Sequence, residues 1–269
     1  MPAPIISVKN VTRRFKDLVA VNDISLEVMQ GEIFAFLGPN GAGKSTTIKM
    51  LTTLLQPTQG SLLLGECDVS KEPHAARKMF GIVFQDPSLD IELTAYENME
   101  LHAMLYHMPQ KTIAARIQEM MTMVELWERR DALVKTFSGG MKRRLEIARG
   151  LLHHPKILFL DEPTLGLDAQ TRNMLWDYIK KLNGKEGMTI FFTTHYLGEA
   201  ETTAQRIAII DHGKIVAIGT ADELKQQTGT DNLEAAYLAL TGKEVRDETL
   251  DENASKREQV RNIMKSRNR

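Results

Sequence analysis

The segment from Gly38 to Thr46 constrains this chain more than any other feature. Gly38, Pro39, Asn40, Gly41, Ala42, Gly43, Lys44, Ser45 and Thr46 match G-x-x-x-x-G-K followed by a hydroxyl residue. The segment lies between an apolar run, Glu32 to Leu37, and a helical stretch from Lys44 to Leu55 that stops before Pro57. In that setting the glycines let backbone N–H groups turn inward around a β-phosphate, and the helix N-terminus adds partial positive charge. Lys44 then reaches the β- and γ-phosphates, Ser45 offers a hydroxyl to Mg²⁺, and Thr46 donates to the α-phosphate.

The segments around the loop define an α/β chain. Ile6 to Val8 and Ile24 to Val28 alternate apolar and polar residues, which predicts an antiparallel region with one covered face. Ile82 to Phe84 is a short strand. Leu93 to Trp127 has helical patterning broken by Pro109, and a further helix runs from near Ser138 to His154. Ile157 to Leu160 and Thr189 to Thr193 read as buried strands. Between them lies a helix over residues 169–182, closed by Asn183 and Gly184. Arg206 to Ile210 and Lys214 to Ile218 form a hairpin across Asp211, His212 and Gly213. Strands alternating with helices predict a doubly wound α/β core. Beyond Thr241 the chain is charged and lacks aromatics, so residues 243–269 are read as a solvated tail or fraying helix.

Composition closes off several function classes. The 269 residues carry 34 Lys and Arg against 35 Asp and Glu, a net charge of −1. Bulk charge therefore gives no support to nucleic-acid binding. An apolar content of 42% is enough for an ordinary core. Cys67 is the one cysteine, which excludes an intrachain disulfide and fits a reducing compartment. The longest apolar runs fall far short of the roughly 20 residues needed to cross a bilayer, and the N-terminus lacks a signal-peptide pattern. Service to a membrane would then go through a partner.

Asp161 and Glu162 follow the apolar strand Ile157 to Leu160, at the end of a strand where open α/β sheets bind ligands. Beside a phosphate loop, Asp161 is placed to hold Mg²⁺ and Glu162 to act as general base on an attacking water. Ser138, Gly139 and Gly140 open a helix, and read either as an ordinary cap or as a second anion site.

In order along the chain, Phe137 to Arg144 resembles the signature of ABC-type ATPases, and Gln85 after its strand resembles the Q-loop. Leu165 to Asp168 resembles the D-loop, and His195 after Phe191 to Thr194 the switch histidine. The resemblance covers about residues 5–240 as a single cassette, with a helical subdomain at about 87–154 and a charged tail over 241–269. It implies a P-loop NTPase core with a mixed sheet, an N-terminal antiparallel β subdomain and an inserted α-helical subdomain. Phe137 to Met141 together with Leu51 to Pro57 looks most like the daunorubicin-resistance exporter group.

The resemblance also implies roles. ATP and Mg²⁺ would be the ligands, and each ATP would lie between one chain's phosphate loop and the Ser138, Gly139 and Gly140 of a second cassette, a homodimer being the expected pair. His195 would bond the γ-phosphate and orient Glu162, and Gln85 would contact Mg²⁺ or the attacking water. Met141 stands where the commonest signature has Gln. Asp168 serves the D-loop, the N-cap of the next helix, or both. Phe15 either stacks on adenine or covers the sheet edge. Methionines between Met99 and Met123 line a groove or fill the core. The remaining histidines show no metal-ligand spacing. The implied function is ATP-driven transport, with export preferred. It would act through a separate integral-membrane permease subunit, at the cytoplasmic face of the membrane. The alternative is a soluble ABC ATPase acting on nucleic acid or the ribosome, a class that usually has a long coiled coil or two cassettes per chain; this chain has neither.

Overall fold

The N-terminal alternation forms a long antiparallel hairpin of β1 (Pro4–Phe15) and β2 (Leu18–Met29) in the protein's structure, a computed structural model that describes residues 4–242. The reading of residues 243–269 as a tail lies outside the described residues. β3 (Ile33–Leu37) enters the glycine loop and α1 (Lys44–Leu51) leaves it. α1 is shorter than the expected stretch to Leu55. Thr53 turns left-handed at φ +65°, and the N–H groups of Leu54 and Leu55 both return to the Lys49 carbonyl at 2.9 Å. β4 (Gln59–Leu64) and β5 (Cys67–Asp68) then complete a sheet of order β2-β1-β4-β5. Sequence patterning assigns no strand to β4, because its partner β1 lies far upstream. Gly60, at φ +86°, permits the approach; a Cβ there would lie 2.4 Å from the Asn10 carbonyl oxygen.

The chain continues through α2 (Pro73–Met79) and β6 (Phe80–Val83), then α3 (Ala95–Leu105) and α4 (Gln110–Met123), separated at Pro109 as expected. α3 starts in a capping box, Thr94 accepting from Glu97 N–H while the Glu97 carboxylate accepts from Thr94 N–H. α5 (Gly139–Gly150) ends before His154. β7 (Ile157–Asp161) and α6 (Ala169–Glu186) follow. Asn183 and Gly184 do not close α6. The Asn183 amide instead donates to the Gly31 and Met188 carbonyls at 2.7 and 2.8 Å, and Gly187 at φ +62° ends the helix. β8 (Thr189–Thr194), α7 (Leu197–Thr203) and the hairpin β9 (Arg206–Asp211) to β10 (Lys214–Gly219) come next. That hairpin turns on His212 and Gly213, both at positive φ. α8 (Ala221–Thr228) and α9 (Leu233–Thr241) close the described chain.

The second sheet has the order β10-β9-β3-β8-β7-β6, parallel except for β10 at the edge. β3, β7 and β8 are buried at every position. The continuous apolar runs have a simple cause: alternate side chains enter two different cores. Ala35, Leu37, Leu158, Leu160, Ile190 and Phe192 pack with α3 to α6, whereas Phe34, Phe36, Ile157, Phe159 and Phe191 pack with α1 and the four-stranded sheet. Met99, Met120 and Met121 are core residues rather than groove lining, while Met104 is exposed. The segments holding Gly38 to Thr46, Gln85, Glu162 and His195 leave the C-terminal ends of β3, β6, β7 and β8, on one edge of this sheet.

Two half-buried histidines make the fold sensitive to acid. His102 on α3 and His153 flank Tyr106, whose ring stacks on His153 at 3.9 Å, and His153 Nε2 lies 2.9 Å from the Phe80 carbonyl oxygen. Burial lowers His102 to about 3, with the charge of Arg149 and His153 adding to it, and lowers His153 to about 4. Both folded values lie below the unfolded one near 6.5, so the unfolded chain binds more protons in between. Stability is therefore full above pH ~6.5 and falls as the pH drops toward 4, by up to about 2 kcal/mol per histidine at pH 5. Urea midpoints followed from pH 7 to 5 are expected to fall for the wild type and to fall less for His102→Phe. Equal slopes would disprove the assignment.

Candidate active site

The phosphate loop is wedged between two strands. A Cβ on Gly38 would lie 2.3 Å from the Ile210 carbonyl oxygen, and one on Gly43, at φ +108°, 2.6 Å from that of Ala20. Only glycine fits either place without moving β9 or β2. Asn40 and Gly41 form the exposed tip, and Ala42 N–H returns to the Pro39 carbonyl at 3.2 Å. Lys44 opens α1 and is 4% exposed. Its Nζ donates to the Gly38 and Pro39 carbonyls at 2.8 and 3.2 Å and pairs with Glu162 Oε1 at 3.0 Å. Ser45 and Thr46 are half-buried beside it.

The paired acids differ in backbone as well as position. Asp161 is the last residue of β7; its Oδ1 accepts from Thr193 Oγ1 at 2.6 Å and from Ser45 Oγ at 3.1 Å. Glu162 leaves the strand at φ +47°, a left-handed conformation that costs a non-glycine residue on the order of 1 kcal/mol. Its N–H donates to Thr193 Oγ1 at 3.0 Å, which holds the turn in place. The turn aims the carboxylate at Lys44 on one side and His195 on the other, His195 Nδ1 lying 3.1 Å from Glu162 Oε2. Burial pulls the Glu162 carboxyl upward, but the His195 hydrogen bond and the Lys44 charge outweigh it and hold the group below the ordinary carboxylate range.

The other expected residues fall into two groups. Gln85 follows β6, is exposed, and makes no hydrogen bond to any described residue. Phe15 ends β1, 38% exposed, with the Arg13 guanidinium 4.5 Å from its ring centre. It pairs with Leu18 on β2, the strand whose Ala20 and Val21 touch Gly43, so it shares an end of the hairpin with the loop. Ser138, Gly139 and Gly140 lie elsewhere, at the start of α5, where Ser138 caps Met141 N–H at 3.3 Å. Their near neighbours are Leu167 and Thr171, and Asp168 caps α6 by accepting from Thr171 N–H at 2.9 Å. Met141 is half-buried and packs against the core.

Sequence reasoning missed Thr193, which links both acids, and Arg143, whose guanidinium reaches the backbone of Asp161, Glu162 and Pro163. The Thr193-Thr194 pair at a strand end was the visible signal for the first. For Arg143 the sequence offers none, since it reads as one member of the basic run Lys142 to Arg144.

The constellation has the parts of phosphoryl-transfer chemistry: backbone donors and a lysine for phosphate oxygens, and a carboxylate oriented by a histidine for a water proton. Ser45 Oγ and Asp161 Oδ1 are hard oxygen donors 3.1 Å apart. That donor set fits Mg²⁺, which keeps most of its shell as water and phosphate oxygens and would supply neutralisation of phosphate charge.

The profile of the ABC transporter family matches residues 21–165. The chain is 41% identical to the daunorubicin resistance ATP-binding protein DrrA3 of Streptomyces coeruleorubidus, over 88% of this chain and 78% of that one. Its structure is similar to that of the ATP binding subunit of an ABC transporter, with a TM-score of 0.79 at 30% identity over 88% of this chain and 99% of the other. A dimeric ATP-binding cassette in a post-hydrolysis state, bound to ADP and Pi, gives a TM-score of 0.72 at 29% identity over 80% and 98% of the two chains. Sequence, fold and the convergence of Lys44, Glu162 and His195 agree: this chain belongs to the ABC transporter family, as an ATP-hydrolysing, ATP-binding subunit.

Proposed function

We propose that this chain pairs with a second copy of itself, and that ATP hydrolysis at their interface drives export of a hydrophobic compound through a separate membrane subunit, with the cassette at the cytoplasmic face. The observation that carries this reading is the separation of two nucleotide surfaces on one chain. Lys44, Glu162 and His195 converge within 3.1 Å, whereas Ser138 and Gly139 stand exposed at the start of α5 with Asp168 nearby. Residues 5–240 act as the cassette, with about 87–154 as its helical subdomain. Each closed site takes Gly38 to Thr46 from one copy and Ser138, Gly139 and Gly140 from the other. Phe15 stacks on the base, which needs only an exposed aromatic face.

The chemistry follows from the local contacts. A γ-phosphate at the loop competes with Glu162 for Lys44. Once Lys44 turns to phosphate, one of the influences that holds Glu162 below the carboxylate range is removed, and its basicity rises. His195 keeps the carboxylate aimed at the water, and Gln85, which makes no hydrogen bond to a described residue, can swing toward the same water or toward a Mg²⁺ that Ser45 and Asp161 would hold. Loop occupancy and base strength are thus coupled through one lysine.

Among the described residues no helix is long and apolar enough to cross a membrane. Export is supported by the drug-resistance relative, which is named for daunorubicin. The test is transport itself. Inside-out vesicles carrying this chain with a co-expressed membrane subunit are expected to accumulate daunorubicin when given MgATP. Uptake that is the same with and without this chain rejects the export reading.

A further inference from the structure

Arg143 ties together three segments that the proposed reaction needs in register. Its side chain is 8% exposed and that of Glu146, one turn on, is 2% exposed. Arg143 Nε donates to the Pro163 carbonyl at 2.8 Å, and Nη2 to those of Asp161 and Glu162 at 3.2 Å each. Nη1 donates to the Phe84 carbonyl, immediately before Gln85, and to Glu146 Oε2 at 3.2 Å. Glu146 Oε1 in turn accepts from Ser88 N–H at 2.7 Å, and Arg149 Nη1 donates to the Ser88 carbonyl at 2.8 Å. The helix that presents Ser138 and Gly139 therefore grips the Gln85 segment on one side and the Asp161 to Pro163 turn on the other.

The physical need is clear at the turn. The chain leaves β7 at Glu162 in a left-handed conformation, so the carbonyls of Glu162 and Pro163 lie buried past the end of the strand, that of Glu162 also accepting from Leu165 N–H at 3.2 Å. Only a planar guanidinium, with donors pointing in several fixed directions, can meet so many of them at once while paired to a carboxylate. Fixing those carbonyls fixes the direction in which Glu162 projects.

We propose that Arg143, buttressed by Glu146, is a positioning residue that holds the Glu162 turn and the Gln85 segment in register with each other at the signature helix. The proposal rests on the reading of Glu162 as the base.

Arg143→Lys tests it, because lysine keeps the charge beside Glu146 and loses the fork. The expected result is a kcat for ATP hydrolysis lowered about 10- to 100-fold, the size of effect that a misplaced reacting group produces, with the KM for MgATP within about 2-fold of wild type. A wild-type kcat overturns the proposal, as does a fall in kcat matched by a comparable rise in KM, which would mark a general structural defect. If Arg143→Lys does not fold, Glu146→Gln carries the test, since it keeps the acceptor for Ser88 N–H. A kcat lowered at least about 3-fold at unchanged KM is then expected, and an unchanged kcat overturns the proposal. Glu162→Gln measured alongside separates the two readings. If it hydrolyses ATP at the wild-type rate, the base assignment fails; if it is inactive while Arg143→Lys is unimpaired, only the positioning role fails.

Discussion

Glu162→Gln is expected to lower ATP hydrolysis by about 10²- to 10⁴-fold while leaving ATP binding intact, the range for loss of a general base. The substitution is nearly isosteric, so the turn at φ +47°, held by Thr193 Oγ1 and the Arg143 fork, is retained. What changes is the acceptor. An amide cannot take a proton from water, and it no longer draws Lys44 away from the loop through the 3.0 Å ion pair. Two readouts follow. Phosphate release with MgATP is expected to be nearly abolished, and size-exclusion chromatography with MgATP is expected to show a stable dimer, the assembly seen for a structurally similar cassette. A variant that releases phosphate within about threefold of the wild-type rate would remove Glu162 from the role of base.

The sequence shows those parts of the site that are contiguous. Gly38 to Thr46 is one unbroken motif whose residues meet because they are neighbours, and the strand before it and the helix after it are visible in the same window. Asp161 and Glu162 are legible for the same reason. His195 could be placed only by its order after Phe191 to Thr194, and its contact with Glu162 is a product of β7 and β8 lying side by side. The missing pieces depend on long-range geometry. β4 finds its partner β1 across the whole glycine loop and α1, so its short apolar run carries no local strand signature. Arg143 matters because α5 packs against the ends of β6 and β7, with a Cβ on Gly81 only 2.2 Å from the Gly150 carbonyl oxygen. Nothing within a window around Arg143 encodes that approach. The left-handed turn at Glu162 is likewise imposed by Thr193 and Arg143 from outside its own segment.

Helix ends show the same division. Thr94 with Glu97 and Thr220 with Glu223 are local capping boxes. Asn183 and Gly184 have the composition of a helix stop, yet a tertiary bond to Gly31 and a local one to Met188 engage the Asn183 amide, and the helix runs on to Glu186 with Gly187 as its cap. A local signal prevails only where no distant partner competes for the same group.

Lys44→Ala is expected to have the other large effect, and it reaches stability as well as activity. Removing the ammonium takes away the side-chain charge directed at the phosphates, which is expected to cost about 10²- to 10³-fold in kcat and to weaken ATP binding. In the folded protein it also leaves the Gly38 carbonyl without its lysine donor, the Pro39 carbonyl with Ala42 N–H alone, and Glu162, 7% exposed, with His195 alone. Breaking a buried pair from one side costs about 3 kcal/mol or more, because the remaining charge stays desolvated. The Lys44 charge is one of the influences holding Glu162 low, and a lowered carboxylate lends stability above its unfolded value that is lost as pH falls through the folded one. Lys44→Ala therefore forfeits most at neutral pH and least in acid. A double-mutant cycle isolates the pair. Combining Lys44→Ala with Glu162→Gln removes the stranded charge, so urea denaturation is expected to show the double variant less destabilised than the sum of the single ones, by about 1 to 3 kcal/mol. Strict additivity would mean that the ion pair contributes nothing to the fold and that Lys44 is held at the loop by its carbonyl contacts alone.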